Sequence, residues 1–533
     1  MNRYIKLKYA ISFMAASLLI SSCTNKFEEY NTNPHEVTDE MLGYDNLRVG
    51  GFIPQIEKDI IPTSDETAND FQRAQNLAGD VYSGYMGAIN GFNNSSNGTT
   101  YDFSQKWQDT AFGVAFTKIM PAWKKIADLS KTEAPTTYAF AQILKVAAMH
   151  RITDMYGPIP YSQFGNGEIT TPYDSQEDVY KSFFVDLNEA ITILSDFVTK
   201  YPSSKPLKKF DLIFGGDFEK CLRFANSMKL RLAMRISYAN PTLAQQYAEE
   251  AAAGLLLTTN TDNVNLSSQN GVSIFNPIEV CWKSYDDIRM GATMESFLLG
   301  YKDARCSKYF QKSTYDEKEY RGVRSGISIS TTQRNLYMAV SSPNIYASTP
   351  VQLMCAAEVA FLRAEGALKG WNMGGTPQAF YEEGIRLSFA QWGANLGDYL
   401  TNSTDLPAAF EDKISATASV ALGNENLSTI TIAWDNTSTA EQKLERIITQ
   451  KWLAIYPDGQ EAWSEFRRTG YPKIFPVVRN TSGGVVDTQI QIRRLPFPTT
   501  EYDNNTKEVK AAAATLLNGS DNAGTKLWWD KKN

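Results

Sequence analysis

The feature that most constrains this chain is the spacing of its apolar residues. In the segment DFEKCLRFANSMKLRLAMRI, residues 217–236, Phe218, Cys221, Ala225, Met228, Leu232 and Ile236 recur at steps of three and four. Those steps draw one apolar stripe along a helix and cannot line one face of a strand. Asp217, behind Gly215-Gly216, is the predicted N-cap. In VQLMCAAEVAFLRAEGALKG, residues 351–370, the same steps link Leu353, Ala357, Ala360, Phe361, Ala364 and Leu368. Glu365 and Lys369 form an i,i+4 pair there, and Gly370 is the natural stop. Thr376 then predicts an N-cap with Pro377 in the first helical position. Ser175-Gln-Glu-Asp178 opens a helix that runs through Phe183, Leu187, Ile191, Leu194 and Val198. Ser438-Thr-Ala-Glu441 reads as a capping box ahead of Leu444, Ile447, Ile448, Trp452 and Ile455, with Pro457 closing the helix.

These helices fall in neighbouring pairs: 107–130 with 136–154, 176–199 with 217–237, 351–369 with 377–393, and 438–456 with 460–468. Pairs joined by short turns predict a mainly α fold, a scaffold of stacked helix pairs of the tetratricopeptide kind. Between them lie long polar stretches, 84–101, 258–350, 394–437 and 469–508, rich in Asn, Ser and Gly. They read as loop-rich insertions packed against the scaffold, the kind of loop that is either functional or decorative surface. No Pro/Ser linker divides the chain, so residues 41–533 are expected to form one domain.

The N-terminus carries a different message. Arg3, Lys6 and Lys8 precede a stretch without charge from Tyr9 to Cys23. The apolar part, Tyr9 to Ile20, is too short to span a bilayer and reads as an export signal. Ser21-Ser22-Cys23 resembles the lipobox of a bacterial lipoprotein. The expectation is a signal peptide over 1–22, lipid on Cys23, and a tether over 23–40. No later stretch is long and apolar enough to be a membrane helix.

Composition then removes several functions. The formal charge is −7 with no sustained Lys/Arg block, which argues against a nucleic-acid partner. Cys221, Cys281, Cys306 and Cys355 form no CxxC pair, so a zinc or redox site has no support and buried free thiols are expected. There are only two histidines, His35 in the tether and His150 at an expected helix end, too few for a zinc hydrolase. Neither is placed for a Ser-His-Asp triad. No GxSxG, HExxH, phosphate-loop or dinucleotide fingerprint is present. Asn93-Asn-Ser-Ser-Asn97-Gly98 echoes a calcium loop but lacks its leading carboxylates, and Ser104 stands where the closing Glu belongs. The expectation is therefore no cofactor, no metal and no enzyme. Glu382-Glu383 is read as a solvated helix face, although a carboxylate pair of a surface glycosidase stays open as an alternative.

Two segments carry aromatic residues among polar ones. CWKSYDDIRMG, residues 281–291, holds Trp282, Tyr285, Asp286 and Arg289. GYMGAINGFNNSSNGTTYDFSQKWQD, residues 84–109, holds Tyr85, Phe92, Tyr101 and Trp107. Aromatic faces suit the apolar side of a sugar ring or a peptide side chain, while amides and carboxylates fix its polar groups. Anchoring of the loops onto the scaffold is the competing explanation for each ring. The candidate ligand-binding residues are Trp282, Tyr285, Asp286, Arg289, Trp107, Tyr101 and Phe92.

Five strings together carry a resemblance: CTNKFEEYNTNPHEVT at 23–38, RITDMYGPIPYSQF at 151–164, AAEVAFLRAEGALKGW at 356–371, RIITQKWLAIYPDGQEAWSEFRRTGYP at 446–472, and RRLPFP at 493–498. In their order and spacing the chain resembles the SusD/RagB family of Bacteroidetes outer-membrane lipoproteins, in its nutrient-binding SusD-like branch. The resemblance implies tetratricopeptide-like helix pairs and a non-catalytic lid over a SusC-type TonB-dependent transporter. Such a lid captures oligosaccharides, or in some branches peptides, for import. Lys26 and Glu28-Glu29 resemble the acidic signal that sends lipoproteins to the outer face. The family's ligand-binding aromatics follow no fixed motif, so the candidates above rest on composition and loop context.

Overall fold

The computed structural model describes residues 47–532. The expected signal peptide and tether, with Cys23, Lys26, Glu28, Glu29 and His35, lie outside them. Contacts divide the chain into two units, Met1–Gly51 and Phe52–Asn533. Within the first, Leu47–Gly50 is a single helical turn.

The second unit is mainly helical. Its helices of eight residues or more are α1 Ile53–Ile60, α2 Met120–Ser130, α3 Pro135–Tyr156, α4 Gln176–Lys200, α5 Phe218–Arg235 and α6 Pro241–Ala252. They continue with α7 Ala292–Gly300, α8 Ala356–Leu368, α9 Pro377–Gln391, α10 Ala440–Ala454, α11 Gly459–Thr469 and α12 Thr506–Thr515. Three of the expected pairs form: α2 packs on α3, α4 on α5, and α8 on α9. The stacking continues between them, α3 against α4 and α5 against α6. The fourth pair differs. Helix α11 touches α10 only lightly and packs chiefly on a π-helical segment, Gln72–Asp80, which sequence periodicity did not reveal.

The caps are where the sequence put them, with one shift. Asp217 accepts from Lys220 N, Ser175 from Asp178 N, and Thr376 from Ala379 N. Helix α10, however, is capped by Thr439 in a box with Gln442, not by Ser438 with Glu441. The Ser438 hydroxyl is already engaged, donating to Asp435 Oδ2 at 2.7 Å. Residues Val351–Met354, expected to begin a helix, form strand β4 instead. It pairs with β2, Val264–Leu266, which lends β4 the ladder hydrogen bonds a first helical turn would have lacked. Inside the stretch 258–350, read as loop, stands α7. His150 lies inside α3 rather than at its end, buried, with Nδ1 3.1 Å from Val146 O. Cys221, Cys281, Cys306 and Cys355 are free and buried, as expected.

Helix α3 is buried on every side from Thr137 to Tyr156, the mark of a helix at the centre of a core. Charged residues are buried with it, and they are paired. Arg235 on α5 reaches Asp154 at 3.1 Å, Glu461 at 2.6 Å, and also Glu465. Arg231 grips Glu358 with two bonds of 2.8 and 2.6 Å. Arg468 grips Glu365 at 2.8 and 2.6 Å and Glu465 at 2.8 and 2.7 Å. Lys451 stands 3.1 Å from Glu465 and 3.4 Å from Glu461. None of these side chains is more than 5% exposed. The network joins α3, α5, α8, α10 and α11. Burying a charge is costly unless it is paired and hydrogen-bonded, and here each one is.

Two glycines set the closest approach between elements. A Cβ on Gly459 would lie 2.4 Å from Asp80 Cα, and one on Gly79 would lie 2.8 Å from Gln460 Cα. The start of α11 thus crosses the π-helical segment backbone against backbone.

Asp80 sits at that crossing and is fully buried. Burial pushes its carboxyl up to about 8, with Asp458 adding to the rise against the donors of Asn76 and Gln75. The folded chain therefore keeps a proton that an unfolded Asp, with a pKa near ~3.9, gives up. The stability this contributes is complete below the unfolded value and is lost as pH rises towards the folded one. The slope for one such group is about 1.4 kcal/mol per pH unit. Urea denaturation between pH 5 and 8 is expected to show Asp80→Asn with a flatter decline than the parent, by roughly that slope. An unchanged slope would contradict a protonated Asp80.

Candidate functional site

The two aromatic segments, almost 200 residues apart in sequence, are joined by a short ladder. Strand β1, Met86–Ala88, pairs antiparallel with β3, Ile288–Met290, in the register Met86↔Met290, Gly87↔Arg289 and Ala88↔Ile288. Beyond the ladder, Ile89 N donates to Asp287 O at 2.7 Å and Asn90 Nδ2 to Asp287 Oδ1 at 3.0 Å. Gln72 donates to the other oxygen of the same carboxylate. Gly87 has no room for a side chain, since a Cβ there would stand 2.3 Å from Val323 O.

Arg289 was expected at a binding surface, and the structure places it elsewhere. It is buried, and its guanidinium is saturated. It donates to Trp282 O at 3.1 Å, Ile288 O at 2.8 Å, Met338 O at 3.1 Å and Asp286 Oδ1 at 2.9 Å. It is a clamp that shapes the turn after Trp282. Burial lowers its pKa against the supporting charge of Asp286. Asp286 takes the left-handed backbone conformation, φ 49°, and its carboxylate is spent on Arg289. Tyr101 is a second correction. It is buried, with φ 75°, because Asn97 caps the turn Gly98–Thr100 and folds the ring inward to within 6.2 Å of Tyr82. Tyr85 is also core, its hydroxyl donating to Trp452 O.

Four rings keep exposed surface. Trp282 is half-buried in the π-helical turn Val280–Ser284. Its Nε1 donates to Ile345 O at 2.8 Å, and its ring meets Tyr346 edge-on at 6.0 Å. Tyr285 is half-buried, and its hydroxyl donates to Thr67 O at 2.5 Å. Phe92 and Trp107 stand at right angles, 5.2 Å apart, both half-buried, with the Trp107 ring over Gly98. A Cβ on Gly98 would come within 3.2 Å of that ring.

The loops bearing these rings are held from outside by residues the sequence did not single out. Arg334, on the short helix Thr331–Tyr337, donates to Tyr285 O at 3.1 Å and Asp286 O at 3.3 Å. Arg479 donates to Asn94 O at 3.2 Å and Ser95 O at 2.9 Å. Asn93, Asn94 and Ser95 all have positive φ, a conformation that needs such support. Only the fold reveals these partners, because each contact spans tens to hundreds of residues. Among the described residues no cluster of His, Cys, Asp or Glu is arranged to hold a metal ion. No helix among them is long and apolar enough to cross a membrane.

Residues 29–530 match the sequence model of a family described as SusD-like, the SusD and RagB outer membrane lipoproteins. Three solved structures are similar over most of their length. A chitin-binding SusD homologue from Flavobacterium johnsoniae is 40% identical, with a TM-score of 0.86, over 91% of this chain and 99% of that one. A SusD homologue from Bacteroides uniformis is 37% identical, TM-score 0.84, over 91% of this chain and 99% of that one. A SusD-like protein from Bacteroides thetaiotaomicron is 35% identical, TM-score 0.84, over 90% and 98%. No curated protein sequence matches the chain.

Proposed function

Because this chain belongs to the SusD/RagB family of outer membrane lipoproteins, we propose that it captures oligosaccharides at the cell surface and passes them to a SusC-type TonB-dependent transporter. Nutrient binding by a surface lipoprotein is the family's role, and the ligand and the transporter are the inferred part. The observation that carries the ligand class is the 40% identity to a chitin-binding homologue over 91% of this chain. The half-exposed rings of Trp282, Tyr285, Phe92 and Trp107 support it chemically. They offer flat apolar faces beside amide groups, as a sugar ring requires. Asp286, held by Arg289, and Arg289 itself act as framework in this reading.

The protein is read as a binder and not a catalyst. A shallow platform gives modest affinity, which favours release into a transporter, and tethering beside the partner compensates by raising local concentration. The tether in this proposal is residues 23–40 after removal of 1–22, with residues 41–533 as the binding domain. Cys23→Ser is expected to move the protein from the membrane fraction to the soluble fraction. Retention in the membrane would place the anchor elsewhere.

The ligand site is tested by calorimetry on the soluble form starting at Thr24, with chitooligosaccharides as the first probes. Trp282→Ala is expected to weaken binding about tenfold or more, equivalent to roughly 1.4 kcal/mol. Tyr285→Ala should weaken it to a smaller degree. Binding that survives both substitutions would remove this face from the proposal. Pull-down from the native outer membrane should recover a TonB-dependent barrel with the lipoprotein, and recovery of the lipoprotein alone would contradict the transporter partner.

A further inference from the structure

We propose a second binding cleft, built on the β2–β4 ladder, that takes a neutral oligosaccharide. It goes beyond the proposed function, since it stands whether or not the aromatic loops bind. The cleft has a volume of about 420 Å³ and opens beside Trp392. In the ladder Asn265 of β2 lies opposite Gln352 of β4.

Amide side chains form its wall, and they are chained in one direction. Asn263 Nδ2 donates to Gln391 Oε1 at 3.1 Å, Gln391 Nε2 to Gln352 Oε1 at 2.6 Å, and Gln352 Nε2 to Ile455 O at 3.4 Å. Each link fixes which way the amide faces. An amide NH2 has two hydrogens, so Asn263, Gln391 and Gln352 each keep a further donor. The side-chain amide of Asn265 has no partner among the described residues, so it has both a donor and an acceptor to offer. Two residues of the lining also carry an unpaired polar atom beneath the surface: Asn260 Oδ1 and Trp392 Nε1 are buried without a hydrogen-bond partner among the described residues. Buried polar atoms in that state are uncommon, and both of these belong to residues that border one cleft.

The chemistry of the wall selects the ligand. No charged side chain lines the cleft, so an ionised ligand would lose its hydration without gaining a counter-charge. Hydroxyl groups donate and accept, which matches a row of oriented amides. Trp392, half-buried and fixed edge-on against Tyr309 at 4.7 Å, supplies an apolar surface for a sugar ring.

The test is fluorine NMR of the mature lipoprotein in detergent micelles, labelled with 5-fluorotryptophan. Trp392→Phe and Trp282→Phe assign the two reporting signals. The probes are maltotetraose, cellotetraose and chitotetraose, with tetraalanine as the peptide comparison. At least one oligosaccharide is expected to shift the Trp392 signal saturably. Asn265→Ala, which breaks no bond within the described residues, should weaken that response about tenfold or more and leave any Trp282 response unchanged. Gln391→Ala serves as the second variant, with the same expectation. A response at Trp282 alone would overturn the second cleft and leave the proposed function intact. A Trp392 response to tetraalanine only, a response indifferent to both variants, or silence at both tryptophans would also overturn it.

Discussion

Replacing Arg235 with methionine is expected to lower the stability of the protein by about 3–5 kcal/mol, the cost of breaking a buried ion pair by removing one partner. The side chain bonds Asp154, Glu461 and Glu465, all within the core. Without the guanidinium, the three carboxylates are left with Lys451, Arg231, Arg468 and Arg467 to balance them. The same network makes a pH prediction. Burial by itself would raise the Glu461 carboxyl, but Arg235, Arg231 and Lys451 overcome it and hold the group down at about 2. Glu465 is held well below the usual carboxylate range against the same burial, by Arg468, Lys451 and Arg235. A depressed carboxyl contributes stability that is complete above its unfolded pKa, near ~4.3, and is lost as pH falls towards its folded one. The parent should therefore resist acid until well below pH 4. Arg235→Met should begin to unfold at higher pH, because Glu461 and Glu465 then take up protons sooner. Urea melts at neutral pH and an acid titration followed by circular dichroism measure both effects. A neutral-pH loss below ~1 kcal/mol, the range of solvent-exposed pairs, would contradict a dry network.

The second large effect is expected at Gly459, where alanine should cost about 3 kcal/mol, the upper part of the range for overpacking. The atoms its Cβ would meet are the backbone N and Cα of Asp80 as well as that residue's carboxylate, and backbone cannot rotate away. Helix α11 would have to lift from the π-helical segment Gln72–Asp80, taking Glu461 and Glu465 of the charge network with it. Gly113 is the matched control. It lies in the helix Asp109–Val114, and a methyl group there would meet nothing within 4 Å. Gly113→Ala should stabilise by roughly 0.5–1 kcal/mol through the unfolded chain and helix propensity. Thermal melts of both variants separate a steric cost from a general intolerance of glycine substitution. Equal melting temperatures would sink the close-crossing account.

These two predictions rest on features of different legibility. The stripes of α4, α5, α8 and α10 and the cap of α9 could be read because apolar spacing and caps are local, and Asp217, Ser175 and Thr376 each cap the helix they precede. Helix α6 carried the same kind of signal in Asn240-Pro241 and the small residues Ala244, Ala248 and Ala251, but its apolar stripe is too slight to stand out. The segment 72–80 was invisible because it buries Gln75, Asn76 and Asp80 alongside its apolar residues. Likewise nothing local marks Arg231, Arg235, Glu461 and Glu465 as buried, yet they lie in the core and are paired across helices. Pairing at such sequence distances leaves no mark in a single chain.

At the candidate site, residue type located the segments and the fold assigned the roles. Trp282, Tyr285, Phe92 and Trp107 keep exposed surface, while Arg289 and Tyr101 turned inward. An arginine beside a tryptophan suggests a ligand contact, but the carbonyls of Trp282, Ile288 and Met338, with Asp286, use the same guanidinium completely. The cleft along β2 and β4 escaped notice because Gln352 sits in a run read as helix, where its opposition to Asn265 does not exist.

The most direct measurement of the account is calorimetric titration of the soluble form, starting at Thr24, with neutral oligosaccharides, followed by mass spectrometry of the same samples. The account predicts saturable binding with every oligosaccharide recovered at its original mass. Cleaved products in the absence of any partner, or no heat from any oligosaccharide while peptides bind, would contradict it.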